Sequence, residues 1–209
     1  MTKPSSTSPT KASSPTGAGP DELLPIFLKL TGRKVVLVGA GKVAAAKLPA
    51  LLAAGAQVCV IAPDIHSDVE RASVAIERRG FAPSDLDGAW LVIAAATTGV
   101  NKQVAKAAEE RRIFVNAVDD PESATAYAGG VLRRGGVTVA ISTSGQAPAL
   151  AGLLRESLER VLPRELERWV EIARRLRADW KRHGVPMSER RPLLLDALKR
   201  AYAHEELAP

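Results

Sequence analysis

A doubly wound α/β fold, with a mostly parallel sheet covered by helices on both faces, is what this 209-residue sequence predicts. Three observations carry the prediction. Short, β-branched apolar runs alternate with helical periods as far as Val118. A glycine-rich turn joins the first apolar run to the first helix. Beyond about Thr125 the period changes to a β-hairpin and then to amphipathic helices. The expected organisation is therefore a tail over 1–20, a sheet domain over 21–127, a hairpin and helix over 128–162, and a helical extension over 163–209.

Met1–Pro20 is rich in Ser, Thr, Pro and Gly without an apolar period, which predicts disorder. Leu23–Leu28 is the first apolar stretch and is expected to pack onto the sheet edge. Lys34–Val38 (KVVLV) reads as a buried strand. Gly39-Ala40-Gly41-Lys42-Val43-Ala44 follows it in the G-x-G-x-x-G/A pattern and opens a helix that Gly55 ends. Placed between a strand and a helix, this pattern predicts a Rossmann-type nucleotide site. Gly39 makes the tight turn, Gly41 lets the backbone approach a pyrophosphate, and Ala44 permits close packing. The helix N-terminus adds about 0.3–1 kcal/mol of preference for negative charge. Pro49 falls inside this helix, where proline bends the axis.

The remaining elements follow in order. Gln57–Ala62 is a second strand, Ser67–Ala72 a short helix and Val74–Glu77 a third strand. Asp85–Gly88 turns the chain into Trp90–Ala96 (WLVIAAA), an apolar run expected to be buried on both faces. Thr97 ends that run on the same edge as the glycine turn, facing the cofactor. Val100–Arg111 is an amphipathic helix with Val100, Val104, Ala107 and Ala108 inward. Ile113–Val118 is a fifth strand, ending in Asp119-Asp120-Pro121. Thr125–Leu132 and Val137–Ser142 form the hairpin, and Pro148 opens a leucine-rich helix over Ala149–Leu162. Glu165–His183 is the next helix, and Ser188 caps the last, which runs towards His204.

Composition narrows the chemistry. A net charge of +6 and a pI near 9.7 suit acidic partners, whether nucleic acid, phosphates or a polycarboxylate. Aromatic residues make up 4% of the chain and no helix-turn-helix is visible, which argues against nucleic acid. Cys59 is the only cysteine, as in a reducing cytoplasm, and it sits mid-strand. No apolar run is long enough to span a bilayer. His66, His183 and His204 are scattered, so no metal-ligand spacing arises and no metal site is expected.

Two loops remain as candidate chemistry. Asp119 follows a buried strand at the functional edge of the sheet, where a carboxylate can accept a proton. Its alternative is a turn carboxylate before Pro121, a role that suits Asp120 better. Ser142, Thr143, Ser144 and Gly145 form a polar loop entering a helix. They either offer hydroxyls and N–H groups to an anionic substrate or simply cap the helix.

Taken together these stretches resemble the precorrin-2 dehydrogenase family, the oxidase/ferrochelatase module of siroheme synthase. The resemblance runs from Leu24 to about Arg191. It rests on Leu24–Leu28, Val38–Ala44 with Lys47, Asn116–Pro121 and, most specifically, Ala140–Ala151 (AISTSGQAPALA) with Leu154-Arg155-Glu156. It implies NAD-dependent oxidation of precorrin-2 to sirohydrochlorin by a homodimer joined through the hairpin and the following helix. It also implies a catalytic role for Asp119 and nucleotide contacts at Lys42, Val43, Pro63 and Asp64. Some members also insert ferrous iron. Arg155, Arg174, Arg175 and Arg177 either meet the substrate's carboxylates or lie on solvated helix faces. Two departures stand out: Ala126-Tyr127-Ala128-Gly129-Gly130 replaces the family's usual aromatic and proline, and Ala95–Gly99 lacks its usual acidic residues. A second reading of the whole chain is a non-catalytic, nucleotide-sensing module.

Overall fold

The strands β1 (Lys34–Val38), β2 (Gln57–Ile61), β3 (Ala75–Glu77), β4 (Leu91–Ala94) and β5 (Phe114–Ala117) form one parallel sheet in the order β3-β2-β1-β4-β5. The structure is a computed structural model that describes residues 23–203. The tail expected over 1–20 and the helix end expected at His204 lie outside the described residues. Helices α1 (Lys42–Ala53), α2 (Ser67–Glu70) and α3 (Thr98–Glu110) make the crossovers.

Alternation along the strands divides the core into two layers. Val35 and Leu37 of β1 join Ala44 and Leu48 of α1, with Val58 and Val60 of β2, on one face. Val36 and Val38 join Val92 and Ala94 of β4, with Val104 and Ala108 of α3, on the other. A strand apolar on both faces is thus buried on both, which is why KVVLV carries no polar alternation. Pro49 stays inside α1, on its exposed side, while Ala44, Leu48 and Leu51 face the core. Arg79 makes a two-pronged ion pair with Asp85, whose carboxylate also accepts from the Ala82 N–H at 2.8 Å. The guanidinium, more than the N–H, holds the Asp85 carboxyl below the usual range.

Several boundaries differ from expectation. Leu24 and Phe27 are 82% and 72% exposed, so 23–28 does not pack onto the sheet edge; burial begins at Leu30. Trp90 lies before β4 and is exposed, with the Arg33 guanidinium stacked 3.4 Å from its ring centroid. On α3 the half-buried Val100 packs against the core as expected, and Asn101 is buried beside it. The hairpin strands are β6 (Gly130–Arg134) and β7 (Val137–Ile141), so the first begins five residues later than its pattern suggests. Thr125 and Ala126 instead lie along β5: both N–H groups donate to the Val115 carbonyl, and Thr125 Oγ1 accepts from the Val115 N–H. Ser188 lies inside the first turn of its helix rather than capping it.

Helix α4 (Pro148–Val161) packs on the hairpin, with Ala151 and Leu132 buried between them. Helices α5 (Leu166–Arg182) and α6 (Met187–Ala203) follow and pack on each other. Arg134 Nη1 donates to the Leu162 carbonyl at 2.6 Å, tying the hairpin tip to the end of α4.

Candidate functional site at the carboxyl edge of the sheet

The glycine turn is built by a close approach. Gly39 has φ +96, and a Cβ placed on it would lie 2.3 Å from the Ala95 carbonyl oxygen, so no other residue fits. Its N–H donates to the Ile61 carbonyl, and Ala40 accepts from the His66 N–H, which brings the loop after β2 against the turn. Gly41 is the N-cap of α1, with φ −77. A Cβ there would meet nothing within 4 Å, so the protein's own packing does not call for glycine at this point. The first N–H to donate back into α1 is that of Ala45, to the Gly41 carbonyl. The N–H groups of Lys42, Val43 and Ala44 precede it and have no acceptor within the helix. Open space over a glycine, beside free N–H groups at a helix start, fits a nucleotide pyrophosphate. Lys42 and Val43 are exposed on that turn, and Pro63 and Asp64 are exposed just beyond β2.

Thr97 is the N-cap of α3 and is exposed at the end of the β4 loop. The residue that shapes this loop is Asn101. Only 3% exposed, it accepts from the Ala96 N–H through Oδ1 at 3.0 Å. The sequence carried a signal for it, an asparagine at a helical spacing shared with Val104 and Ala108, which apolar counting passes over.

Asp119 stands at the end of β5, one residue after Val118 donates to the Ala94 carbonyl. It is exposed, its φ is +56, and no described residue hydrogen-bonds its carboxylate. A non-glycine residue in that region carries about 1–3 kcal/mol of strain, which persists only where neighbours fix the chain. Asp120 takes the turn role: its Oδ1 accepts from the Ser123 N–H at 3.3 Å. Its Oδ2, like Oδ1 of the buried Asn116, is buried without a partner. Asn116 Nδ2 donates to the Ala126 carbonyl, holding the segment after the aspartate loop to the sheet.

The side-chain oxygens of Ser142 and Thr143 are both engaged by backbone N–H groups. Ser142 Oγ accepts from the Ser144 N–H, and Thr143 Oγ1 accepts from the N–H of Ala147, the N-cap of α4. Ser144 has φ +52 and Gly145 φ +76. A Cβ on Gly145 would come within 3.3 Å of Pro121, so this loop lies directly against the aspartate turn. The structure therefore gathers the glycine turn, the loops after β2 and β4, and the Asp119 turn at the carboxyl ends of the strands, with the Ser/Thr loop beside Pro121.

The other reactive groups stand apart. Cys59 lies mid-β2, and burial pushes its thiol up from the ordinary value. His66 caps α2, accepting from the Asp68 N–H through Nδ1, and His183 bonds the Asp179 carbonyl near the end of α5. Arg155 pairs with Glu156 and Glu159, and Arg175 with Glu171, while Arg174 and Arg177 are exposed on α5. Among the described residues no three His, Cys, Asp or Glu side chains stand together to hold a metal.

Comparison with known proteins agrees with this geometry. Residues 26–130 match a family model described as "Putative NAD(P)-binding", and residues 134–160 match one described as "Sirohaem biosynthesis protein central". Siroheme synthase 3 of Aeromonas hydrophila subsp. hydrophila is 42% identical over 175 residues, covering 81% of this chain and 37% of its own length. The siroheme synthase of Photorhabdus laumondii subsp. laumondii is 41% identical over 187 residues, covering 87% and 40%. This chain thus spans about two fifths of the length of those curated relatives. A solved structure, SirC, precorrin-2 dehydrogenase, superposes with a TM-score of 0.66 at 23% identity, covering 83% of this chain and 88% of that one. By the match over residues 26–130, about half its length, the chain belongs to the putative NAD(P)-binding family.

Proposed function

We propose that this chain oxidises precorrin-2 to sirohydrochlorin with NAD, a step of siroheme synthesis. The observation that carries the reading is the single rim on which the glycine turn and Asp119 meet, in a chain whose relatives are siroheme synthases. Gly39, Gly41, Lys42, Val43, Pro63, Asp64 and Thr97 hold the nucleotide. Bound NAD supplies the hydride acceptor. The substrate loses a hydride and a proton, and the exposed Asp119 carboxylate takes the proton. Ser142, Thr143, Ser144 and Gly145 orient the polycarboxylate beside it, chiefly through N–H groups, since the oxygens of Ser142 and Thr143 already accept backbone hydrogen bonds. The lone cysteine suits a cytoplasmic enzyme, and among the described residues no helix is long and apolar enough to cross a membrane.

Anaerobic incubation with precorrin-2 and NAD, followed by NADH absorbance, tests the reading; no protein-dependent NADH overturns it. Ferrous iron added to the same mixture tests iron as a further substrate, through protein-dependent loss of the sirohydrochlorin spectrum.

NAD is preferred over NADP. Ile61 and Ala62 occupy the place of the usual ribose-binding acid, and Asp64 comes slightly later. Asp64→Ala is expected to raise KM for NAD and leave the assembly unchanged; equal turnover with both cofactors refutes the preference.

The active form is a homodimer joined through the region 128–162. On α4, Leu153 and Val161 are 60% and 76% exposed, and Leu150, Leu154 and Leu158 extend the same apolar face. A face of this size marks an interface. Leu154→Glu is expected to yield monomer in sedimentation, and a dimer that survives it counts against this interface.

A further inference from the structure

The segment that leads from the Asp119 turn into β6 reads Ala124-Thr125-Ala126-Tyr127-Ala128-Gly129, and its one large side chain lies where the two polar loops touch. The Tyr127 hydroxyl donates to the Pro121 carbonyl at 2.9 Å, reaching back to the turn that carries Asp119. The Tyr127 ring faces the other loop: a Cβ on Gly145 would lie 3.2 Å from Tyr127 Cε1 and 3.3 Å from Pro121 Cβ. Tyrosine, proline and glycine therefore meet at one point. On either side of that point the backbone enters the left-handed region at a non-glycine residue, at Asp119 and at Ser144. Such conformations need neighbours to hold them. At Asp119 the carboxylate itself has no described partner, so its place is set through the chain. Val118 is fixed to β4 on one side, and Pro121 is fixed by Tyr127 on the other.

We infer that Tyr127 is a positioning residue, a brace that sets the Asp119 turn against the Ser142–Gly145 loop, so that the proton acceptor and the substrate-orienting loop keep one spacing. The ring supplies the packing against Gly145, and the hydroxyl supplies the registration on Pro121. Tyr127 acts through Pro121 and Gly145. The inference rests on the precorrin-2 oxidation proposed above, and its test carries one arm that does not.

The experiment compares Tyr127→Ala and Tyr127→Phe in the full chain. Tyr127→Ala is expected to lower kcat by about tenfold to a hundredfold, the scale of a misplacement on the order of 1 Å. KM for NAD should stay within about twofold of the parent, because the glycine turn is held by other contacts. Tyr127→Phe keeps the ring and should recover kcat to within about threefold of the parent. In the arm independent of turnover, amide exchange in Tyr127→Ala should quicken over both 119–123 and 142–147 and stay unchanged in β1 and β4. If the alanine variant yields no folded protein, Tyr127→Leu, which keeps apolar bulk without the ring, carries the same expectations. Alanine-variant turnover within about threefold of the parent, or quickened exchange confined to one loop, overturns the brace. A parent that forms no NADH from precorrin-2 overturns the function instead, and exchange alone then decides the brace.

Discussion

Asp119→Asn is expected to cut kcat for precorrin-2 oxidation by about 10²–10⁴-fold, the range for loss of a general base. The change keeps the volume and removes the proton acceptor, so folding and NAD affinity survive and the fall appears in kcat more than in KM. Among the described residues, the other reactive groups are otherwise engaged. Cys59 is inside a strand with its thiol pushed up by burial, and the Nδ1 atoms of His66 and His183 are engaged in backbone contacts. Ser142 and Thr143 already use their oxygens to accept backbone N–H groups. Asp119 is an exposed carboxylate at the rim with no described partner, held in a left-handed conformation at the end of β5. Turnover within about threefold of the parent refutes the assignment, since it falls well short of that range. Asp120→Asn is the control. Its Oδ1 caps the turn after β5, so a modest loss is expected; an essential Asp120 would move the chemistry one residue along the loop.

The second large effect separates two glycines that the motif treats alike. Gly39→Ala puts a Cβ 2.3 Å from the Ala95 oxygen at a φ of +96, and Ala95 cannot retreat because its N–H is bonded to the Val38 carbonyl. Left-handed strain and this overlap together cost about 3 kcal/mol or more. In a chain of this size that lowers the melting temperature by about 6–12 °C. Gly41→Ala meets open space at an ordinary φ, so stability should hold within about 1 kcal/mol. NAD affinity should nevertheless fall about tenfold, or roughly 1.4 kcal/mol, because the methyl group fills the space proposed for the pyrophosphate. Calorimetry and NAD titration on the two variants check both halves. Unchanged NAD binding by Gly41→Ala would show that the phosphates lie elsewhere.

The sheet was legible in the sequence because strands buried on both faces must be apolar throughout, and KVVLV and LVIA permit little else. The glycine turn was legible for a steric reason that the Ala95 carbonyl now supplies. Where the reading failed, the deciding contact is distant in sequence. Trp90 ends an apolar run, yet it leaves the core to lie under Arg33. Thr125 and Ala126 look like strand residues and do lie extended, but against Val115 rather than in the hairpin. Asn101 is polar and buried because one loop N–H, that of Ala96, has its acceptor there. The apolar stretch at 23–28 has no described surface covering it, so hydrophobicity alone misjudged its place. At the site, sequence order located Asp119 and the glycine turn correctly on one rim. Contact between the Ser/Thr loop and Pro121 depends on the fold of residues 124–130, which no local pattern encodes.

Among the described residues, the sheet is guarded on both sides. On one side, both backbone groups of Val115 are taken by Thr125 and Ala126, and the Asn116 amide clasps the same segment. On the other, β3 is three residues long and is followed by Arg78 and Arg79, which are held in ion pairs with Glu70 and Asp85. A covered edge on one side and a short strand on the other both disfavour strand-to-strand addition between copies. The homodimer proposed above would instead use the apolar face of α4, and a two-fold contact of that kind closes after two copies. A chain concentrated to high levels should accordingly remain in solution as a discrete particle, and thioflavin-positive aggregates should appear only after the sheet itself has come apart.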